Sequence, residues 1–96
     1  MRVILTRSAK AELAEAVNWY DARLPEAADR FVDEFEALKN RLMQNPRQFP
    51  AVRRDIHRAG FRSFPYGLFF RIREAEDRVE IFGCFHASRN PRHWQG

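Results

Sequence analysis

The sequence contains little cysteine, glycine or lysine, and it has no long apolar run. A single cysteine, Cys84, rules out an internal disulfide and indicates a reducing compartment. The four glycines are scattered, which argues against a glycine-rich phosphate loop. No apolar stretch approaches the roughly 20 residues needed to cross a bilayer, and the early charges in MRVILTRSAK argue against a secretory signal. We therefore expect a cytoplasmic protein with no membrane contact.

The chain is nevertheless long enough and apolar enough for one folded domain. Its 96 residues are 45% hydrophobic and 14% aromatic, which argues against intrinsic disorder and predicts a single domain spanning residues 1–96. One cysteine and three histidines (His57, His86 and His93) lack the spacing of a zinc site. No serine, histidine and aspartate arrangement predicts nucleophilic catalysis. We expect no metal and no cofactor.

Positive charge is concentrated in the second half of the chain, which has a net charge of +4 overall. Residues 1–46 carry 7 basic and 8 acidic side chains. Residues 47–96 carry 10 basic and 5 acidic side chains, and all ten basic residues are arginines. Guanidinium groups bind phosphate or carboxylate through two parallel hydrogen bonds, so this half favours an acidic partner, either nucleic acid or an acidic protein segment. The alternative is a solvated basic surface.

Two helices are predicted in the first half, after a short strand over residues 2–6. Ser8 is the predicted N-cap of the first helix, which we expect to end near Arg23. Pro25 suits the first position of the second helix, and Pro46 ends it. Apolar residues of this second helix recur every three or four positions at Phe31, Phe35, Leu38 and Leu42. The short connection predicts an antiparallel helical hairpin.

Alternating apolar and polar residues replace the helical spacing in the second half. Residues 66–73 and 78–85 alternate around a polar turn, which predicts a β-hairpin with Val79, Ile81 and Phe85 on one face. A less regular strand is predicted within residues 55–64, where Gly60 marks a bulge or a turn. The order β-α-α-β-β-β predicts an α+β fold, with a helical hairpin packed on a small antiparallel sheet.

The C-terminal run from His86 to Trp94 combines histidine, arginine and tryptophan directly after a predicted strand. It suggests a functional rim, because imidazole exchanges protons near neutral pH and guanidinium groups stabilise phosphate charge. The alternative is a fastened tail, with Trp94 on the core and Arg89 hydrogen-bonded to backbone carbonyls. Spacing alone favours this second interpretation.

Several segments occur in the order and spacing of one known family. They are SAKAEL at 8–13, Trp19-Tyr20, ADRF at 28–31, the stretch from Pro46 to Pro50, FPYGLFFRI at 64–72, and the tail His86-x-x-Arg89-x-Pro91-x-x-Trp94. Together they cover nearly the whole chain, and they resemble the RelE/ParE superfamily of toxins from type II toxin–antitoxin modules, most closely the ParE branch. The resemblance implies a β-α-α-β-β-β fold, in agreement with the periodicity.

The resemblance implies two alternative activities. ParE-like toxins poison DNA gyrase by binding and need no catalytic group of their own. The ParE-like tail and the lack of a tyrosine after Tyr66 favour this branch, whose candidate target-binding residues are Arg89, Arg92, His93 and Trp94. RelE-like toxins instead cleave mRNA on the ribosome, for which this chain offers Arg62, Arg71 and His86. We favour gyrase poisoning, and on that interpretation the protein is not an enzyme.

The resemblance also implies a cognate antitoxin, a ribbon-helix-helix protein of the ParD type. In this family the C-terminal segment of the antitoxin wraps the toxin by helix-in-groove packing and strand addition. The candidate antitoxin-binding residues flank an expected apolar groove along the hairpin; they are Trp19, Tyr20, Val32 and Met43. Operator DNA is then contacted only through the antitoxin complex, and plasmid stabilisation is the implied role. A third interpretation, a basic adaptor that binds nucleic acid directly, rests on the +5 half alone.

Overall fold

The computed structural model describes residues 1–88, which form two helices on one five-stranded sheet. The elements are β1 (Arg2–Leu5), α1 (Arg7–Asp21), α2 (Pro25–Gln44), β2 (Ala51–Arg53), β3 (Ile56–Gly60), β4 (Tyr66–Arg73) and β5 (Arg78–His86), with short 3-10 helices at Pro46–Gln48 and Glu74–Glu76. The predicted α+β fold, a helical hairpin on a sheet, is confirmed. A three-residue strand, β2, precedes the three predicted C-terminal strands.

The sheet has the strand order β1-β5-β4-β3-β2 and is mixed. Strands β2 to β5 pair antiparallel with their neighbours, as expected for strands joined by short connections. Strand β1 instead pairs parallel with β5, and Arg2 stands opposite Arg78. The expectation of an antiparallel sheet is therefore corrected at this one edge. The two helices and three further strands separate β1 from β5 along the chain, and β5 then pairs beside β1 in the same direction.

Helix α1 begins two residues earlier than the sequence suggests. Its N-cap is Thr6, whose extended backbone continues from β1 and whose hydroxyl accepts a hydrogen bond from the Ala9 N–H at 3.1 Å. Ser8, the predicted cap, lies inside the helix. Two hydroxyl residues that are two positions apart give equivalent capping signals in the sequence, and the end of β1 decides between them.

Helix α2 follows the prediction closely. Pro25 occupies its first turn, the helix ends at Gln44 ahead of Pro46, and its periodic stripe is buried. Phe31 is fully buried and packs against the rings of Phe61, Phe64 and Tyr66, with ring centroids 4.5 to 5.3 Å apart. This aromatic cluster joins α2 to the loop between β3 and β4, and it forms one end of the main core.

The sheet has a bulge in strand β5 and not at Gly60, which pairs with Gly67 in regular register. Phe69 pairs with Gly83 but Phe70 pairs with Ile81, so Phe82 is an extra residue. Beyond the bulge the alternation is inverted. Cys84 joins the core under the helices, while Phe85 lies with Ile56 and Phe69 on the opposite face of the sheet. The predicted grouping of Phe85 with Val79 and Ile81 is therefore wrong, because one inserted residue moves every later side chain to the other face.

A carboxylate on α2 holds the loop between β3 and β4. Glu34 Oε1 accepts hydrogen bonds from the backbone N–H groups of Arg62 at 2.9 Å and Ser63 at 3.0 Å. Burial raises the pKa of Glu34, but hydrogen bonds from Ser63 and Arg62 and the charge of Arg62 lower it by more, so that it lies below its ordinary value. The ionised carboxylate therefore stabilises the folded state.

Replacing Glu34 with glutamine should lower stability by about 1 kcal/mol at neutral pH, because two backbone donors lose a charged acceptor. A depressed pKa in the folded state means that this contribution is complete above the ordinary value of 4.5 and is lost as the pH falls through the folded-state pKa. Denaturant unfolding at pH 7 and near pH 3 measures the difference. Glu36→Gln is the matched control, since Glu36 makes only a 3.9 Å contact with Lys39 on the surface. Equal losses of stability in both variants would show that the hydrogen bonds of Glu34 to the β3–β4 loop do not stabilise the fold.

Candidate functional site

The helical hairpin exposes three of the four candidate antitoxin-binding residues. Trp19, Val32 and Met43 are 50%, 40% and 44% exposed, which is unusual for large apolar side chains. Tyr20 differs from them, because its ring packs against Phe31 at 5.6 Å and burial raises its pKa above the ordinary value. Tyr20 therefore joins the core to the exposed surface.

Trp19 lies near the connection between the two helices. The Arg23 guanidinium lies 3.7 Å from its ring centroid, and Arg23 also donates a hydrogen bond to the Trp19 carbonyl at 2.9 Å. Trp19 lines a cavity of about 50 Å³ between α1 and the ends of β4 and β5, beside Ala16 and Tyr66. Leu24, which the sequence analysis did not single out, is 50% exposed at the same end of the hairpin.

Val32 and Met43 lie on one side of α2. They are eleven residues apart, which is close to three helical turns, so they share a face about 16 Å apart along the axis. Glu36 and Lys39 lie between them and form an ion pair. The two apolar residues therefore form separate contact points rather than the continuous groove that the sequence suggested.

A larger cavity of about 220 Å³ lies between α2 and the end of β3. Its lining combines apolar and charged side chains, namely Glu34, Ala37, Leu38, Arg41, Gly60 and Arg62. Of these, only Arg62 was a sequence candidate. Glu34, Ala37, Leu38 and Arg41 were missed because their positions on α2 have the pattern of an ordinary amphipathic helix.

Two of the three candidates for RNA cleavage, Arg71 and His86, lie apart. Arg71 is on the face of the sheet opposite the helices, where its Nε lies 3.4 Å from Asp55 Oδ2 and its guanidinium lies 4.6 Å from the Phe82 ring centroid. His86 is on the helix side, with its ring 5.1 Å from that of Tyr66. Five residues of β4, about 16 Å, separate Arg71 from the position opposite His86.

The remaining contacts of these candidates are local. The His86 Nδ1 accepts a hydrogen bond from the Ser88 N–H at 3.0 Å and lies 2.8 Å from the Ser88 Oγ. Arg62 is exposed in the loop that Glu34 holds. The structure thus does not bring Arg71 and His86, two of the three candidate catalytic residues, to one reacting position.

The candidate target-binding residues lie outside the described residues; they are Arg89, Arg92, His93 and Trp94. Within residues 1–88 there is no cluster of three or more histidine, cysteine, aspartate or glutamate side chains suited to a metal ion. Neither helix of this part of the chain combines the length and the hydropathy that a membrane span requires.

The comparisons with known proteins agree with this architecture. The family model described as the ParE toxin of the type II toxin-antitoxin system parDE matches residues 3–91. A solved structure of the chromosomal ParDE TA system from P. aeruginosa superposes with a TM-score of 0.77 and 21% sequence identity, covering 92% of this chain and 97% of that one. A search of curated proteins finds no match. The chain belongs to the ParE toxin family of type II toxin–antitoxin systems.

Proposed function

We propose that this toxin inhibits growth by binding DNA gyrase in the cytoplasm, and that a cognate ParD-like antitoxin neutralises it. Membership of the ParE toxin family supports this target class. The action is stoichiometric, because a poison that binds gyrase contributes no catalytic group of its own.

The separation of Arg71 from His86 is the observation that carries the proposal. Cleavage of RNA needs a base for the 2′-hydroxyl, a proton donor for the leaving oxygen and cations at one phosphate, all within hydrogen-bond reach. Among residues 1–88, Arg71 and His86 are on opposite faces of the sheet, and Asp55 already pairs with Arg71. This arrangement favours binding over catalysis. The proposed contacts to gyrase are the tail residues Arg89, Arg92, His93 and Trp94.

The exposed apolar residues of the hairpin are the proposed contacts to the antitoxin. Trp19 is exposed on α1, and Val32 and Met43 are exposed on α2, so an extended antitoxin segment is the proposed partner that contacts both helices. Tyr20 lies between these exposed residues and the core, where its ring contacts Phe31 and Phe64. Tryptophan is among the residues that dominate interface energies, and Trp19 is therefore the expected anchor.

Replacing Trp19 with alanine should weaken antitoxin binding by about 2 kcal/mol, or roughly 30-fold. The fold should be little affected, because the side chain is half exposed. Titration calorimetry with the antitoxin, which we expect as the product of the neighbouring gene, measures the change. Val52→Ala is the control, since Val52 is 49% exposed on the far sheet edge. A loss at Val52 that equals the loss at Trp19 would place the antitoxin on that edge instead.

Induction of the toxin in cells tests the proposed target. Gyrase poisoning should cause filamentation and a DNA-damage response, whereas mRNA cleavage should cause immediate translation arrest. His86→Ala should leave toxicity unchanged, and Trp94→Ala should reduce it with antitoxin binding retained. Translation arrest that disappears in the His86→Ala variant would establish the ribonuclease alternative and exclude this proposal.

A further inference from the structure

The net charge of the protein comes from one segment around β2 and β3. Residues 47–62 contain five arginines and one aspartate, a balance of +4, which equals the net charge of the whole chain. The other 80 residues carry twelve basic and twelve acidic side chains. The excess positive charge is therefore localised at one edge of the sheet.

Most of this charge has no carboxylate partner. Arg47 pairs with Glu74, and the one acidic residue of the segment, Asp55, pairs with Arg71 outside it. Among residues 1–88, no acidic side chain pairs with Arg53, Arg54 or Arg58. Surface arginines elsewhere on this face, such as Arg73 and Arg78, share Glu80 instead. We refer to Arg53, Arg54 and Arg58 as the arginine edge.

The arginine edge is continuous in space. Arg53 stands opposite Ile56 in the β2–β3 pair, and Arg58 is two residues further along β3, so both point to the face of the sheet away from the helices. Such diagonal neighbours are about 7–8 Å apart. Arg54 follows Arg53 in the two-residue turn, where its φ of 49° places it in the left-handed region.

Two paired glycines hold the side chain of Arg58. Gly60 stands opposite Gly67. A Cβ built on Gly60 would lie 2.8 Å from Arg58 Nη1, and a Cβ built on Gly67 would lie 2.6 Å from Arg58 Nε. The guanidinium therefore occupies the space that two side chains would fill, with its carbon 6.0 Å from the Phe69 ring centroid. A cation held in this way loses less conformational entropy when it binds an anion.

We propose that the arginine edge binds the phosphate backbone of duplex DNA directly, in addition to any contact made through an antitoxin. Phosphate contacts need cations and little apolar area, whereas protein interfaces depend on apolar or aromatic anchors. The apolar residues that pack on this face, Ile56 and Phe69, are 5% and 8% exposed. The one exposed large apolar side chain of the sheet within residues 1–88 is Val52 of β2, and a single valine is not an aromatic anchor. Duplex DNA presents one charge per about 1.7 Å of its axis, dense enough for all three arginines to find a phosphate. This inference does not depend on gyrase being the target.

Fluorescence anisotropy of a labelled duplex of arbitrary sequence tests the proposal with the full 96-residue chain. Three phosphate contacts predict that affinity falls about 40-fold between 50 and 200 mM salt. Arg58→Gln should reduce that salt effect to about 12-fold, because one contact is lost. Arg30→Gln removes the same charge from an exposed site on α2, and should retain the wild-type salt dependence. Equal effects of the two variants, or no binding by the wild type, would overturn the proposal.

The Gly67→Ala variant distinguishes the position of the Arg58 guanidinium from its charge. It keeps every arginine but displaces the flexible Arg58 side chain, so DNA affinity should fall toward that of Arg58→Gln while thermal melting confirms the fold. Arg53→Gln combined with Arg54→Gln should also weaken binding, since both are exposed and their loss leaves the core intact. Retained affinity in Gly67→Ala would overturn the role of the held guanidinium. If polyglutamate competed as effectively as unlabelled duplex, the ligand of the arginine edge would be an acidic protein and not DNA, and the proposal would be overturned.

Discussion

Phe31→Ala should cost about 3–5 kcal/mol of stability, a large share of the folding free energy of this small domain. Phe31 is fully buried, and its ring contacts Tyr20, Phe61, Phe64 and Tyr66, so truncation opens a cavity among four aromatic rings. A domain of this length has a total stability of about 5–14 kcal/mol. Each kcal/mol shifts the melting temperature by about 4–8 °C, so a fall of at least about 12 °C is expected in a thermal melt.

Val32→Ala is the neighbouring control for this prediction. Val32 is 40% exposed on the adjacent face of α2, so its truncation should change stability by only about 0.5 kcal/mol. Unlike stability, antitoxin affinity should fall for Val32→Ala under conditions where the variant is folded. If both variants lowered the melting temperature equally, the assignment of α2 faces would be incorrect.

Gly83→Ala should destabilise the protein by about 2 kcal/mol through overpacking at the β5 bulge. A Cβ on Gly83 would lie 2.7 to 3.3 Å from three ring atoms of Phe85. Phe85 is 8% exposed and packs against Phe69, so its ring has little room to move. Denaturant unfolding of the variant measures the loss.

A double-mutant cycle identifies the clash as the cause. Phe85→Leu combined with Gly83→Ala should cost less than the sum of the two single variants, because the shorter side chain removes the ring atoms that the new Cβ meets. Gly60→Ala is the comparison, since its Cβ would meet only the flexible end of Arg58 and should cost under about 1 kcal/mol. Additive costs at Gly83 and Phe85 would show that the bulge backbone, rather than the ring, opposes the substitution.

Local sequence patterns determine most of this fold. The stripe from Phe31 to Leu42 predicts the buried face of α2 because helical periodicity needs no knowledge of distant residues. The parallel pairing of β1 with β5 could not be predicted in this way, since Arg2 meets Arg78 from the other end of the chain. The bulge at Phe82 was equally invisible, because the alternation on either side of it is ordinary and only the pairing with β4 shows the extra residue.

The candidate site was less predictable than the fold. Exposure of Trp19, Val32 and Met43 depends on how the two helices dock, which a periodicity pattern fixes only within one helix. Arginine content predicted an acidic partner, but the sequence does not show which guanidinium groups are paired. Strand register brings Asp55 beside Arg71, and it places Gly60 opposite Gly67, where the two glycines leave space for Arg58.

A supercoiling assay with purified gyrase and the full chain tests the central claim most directly. We expect the toxin to block supercoiling or to trap cleaved DNA at concentrations comparable to that of gyrase. The antitoxin should reverse this effect, and the His86→Ala variant should retain it. Undiminished supercoiling at saturating toxin, together with message cleavage on translating ribosomes, would contradict the central claim.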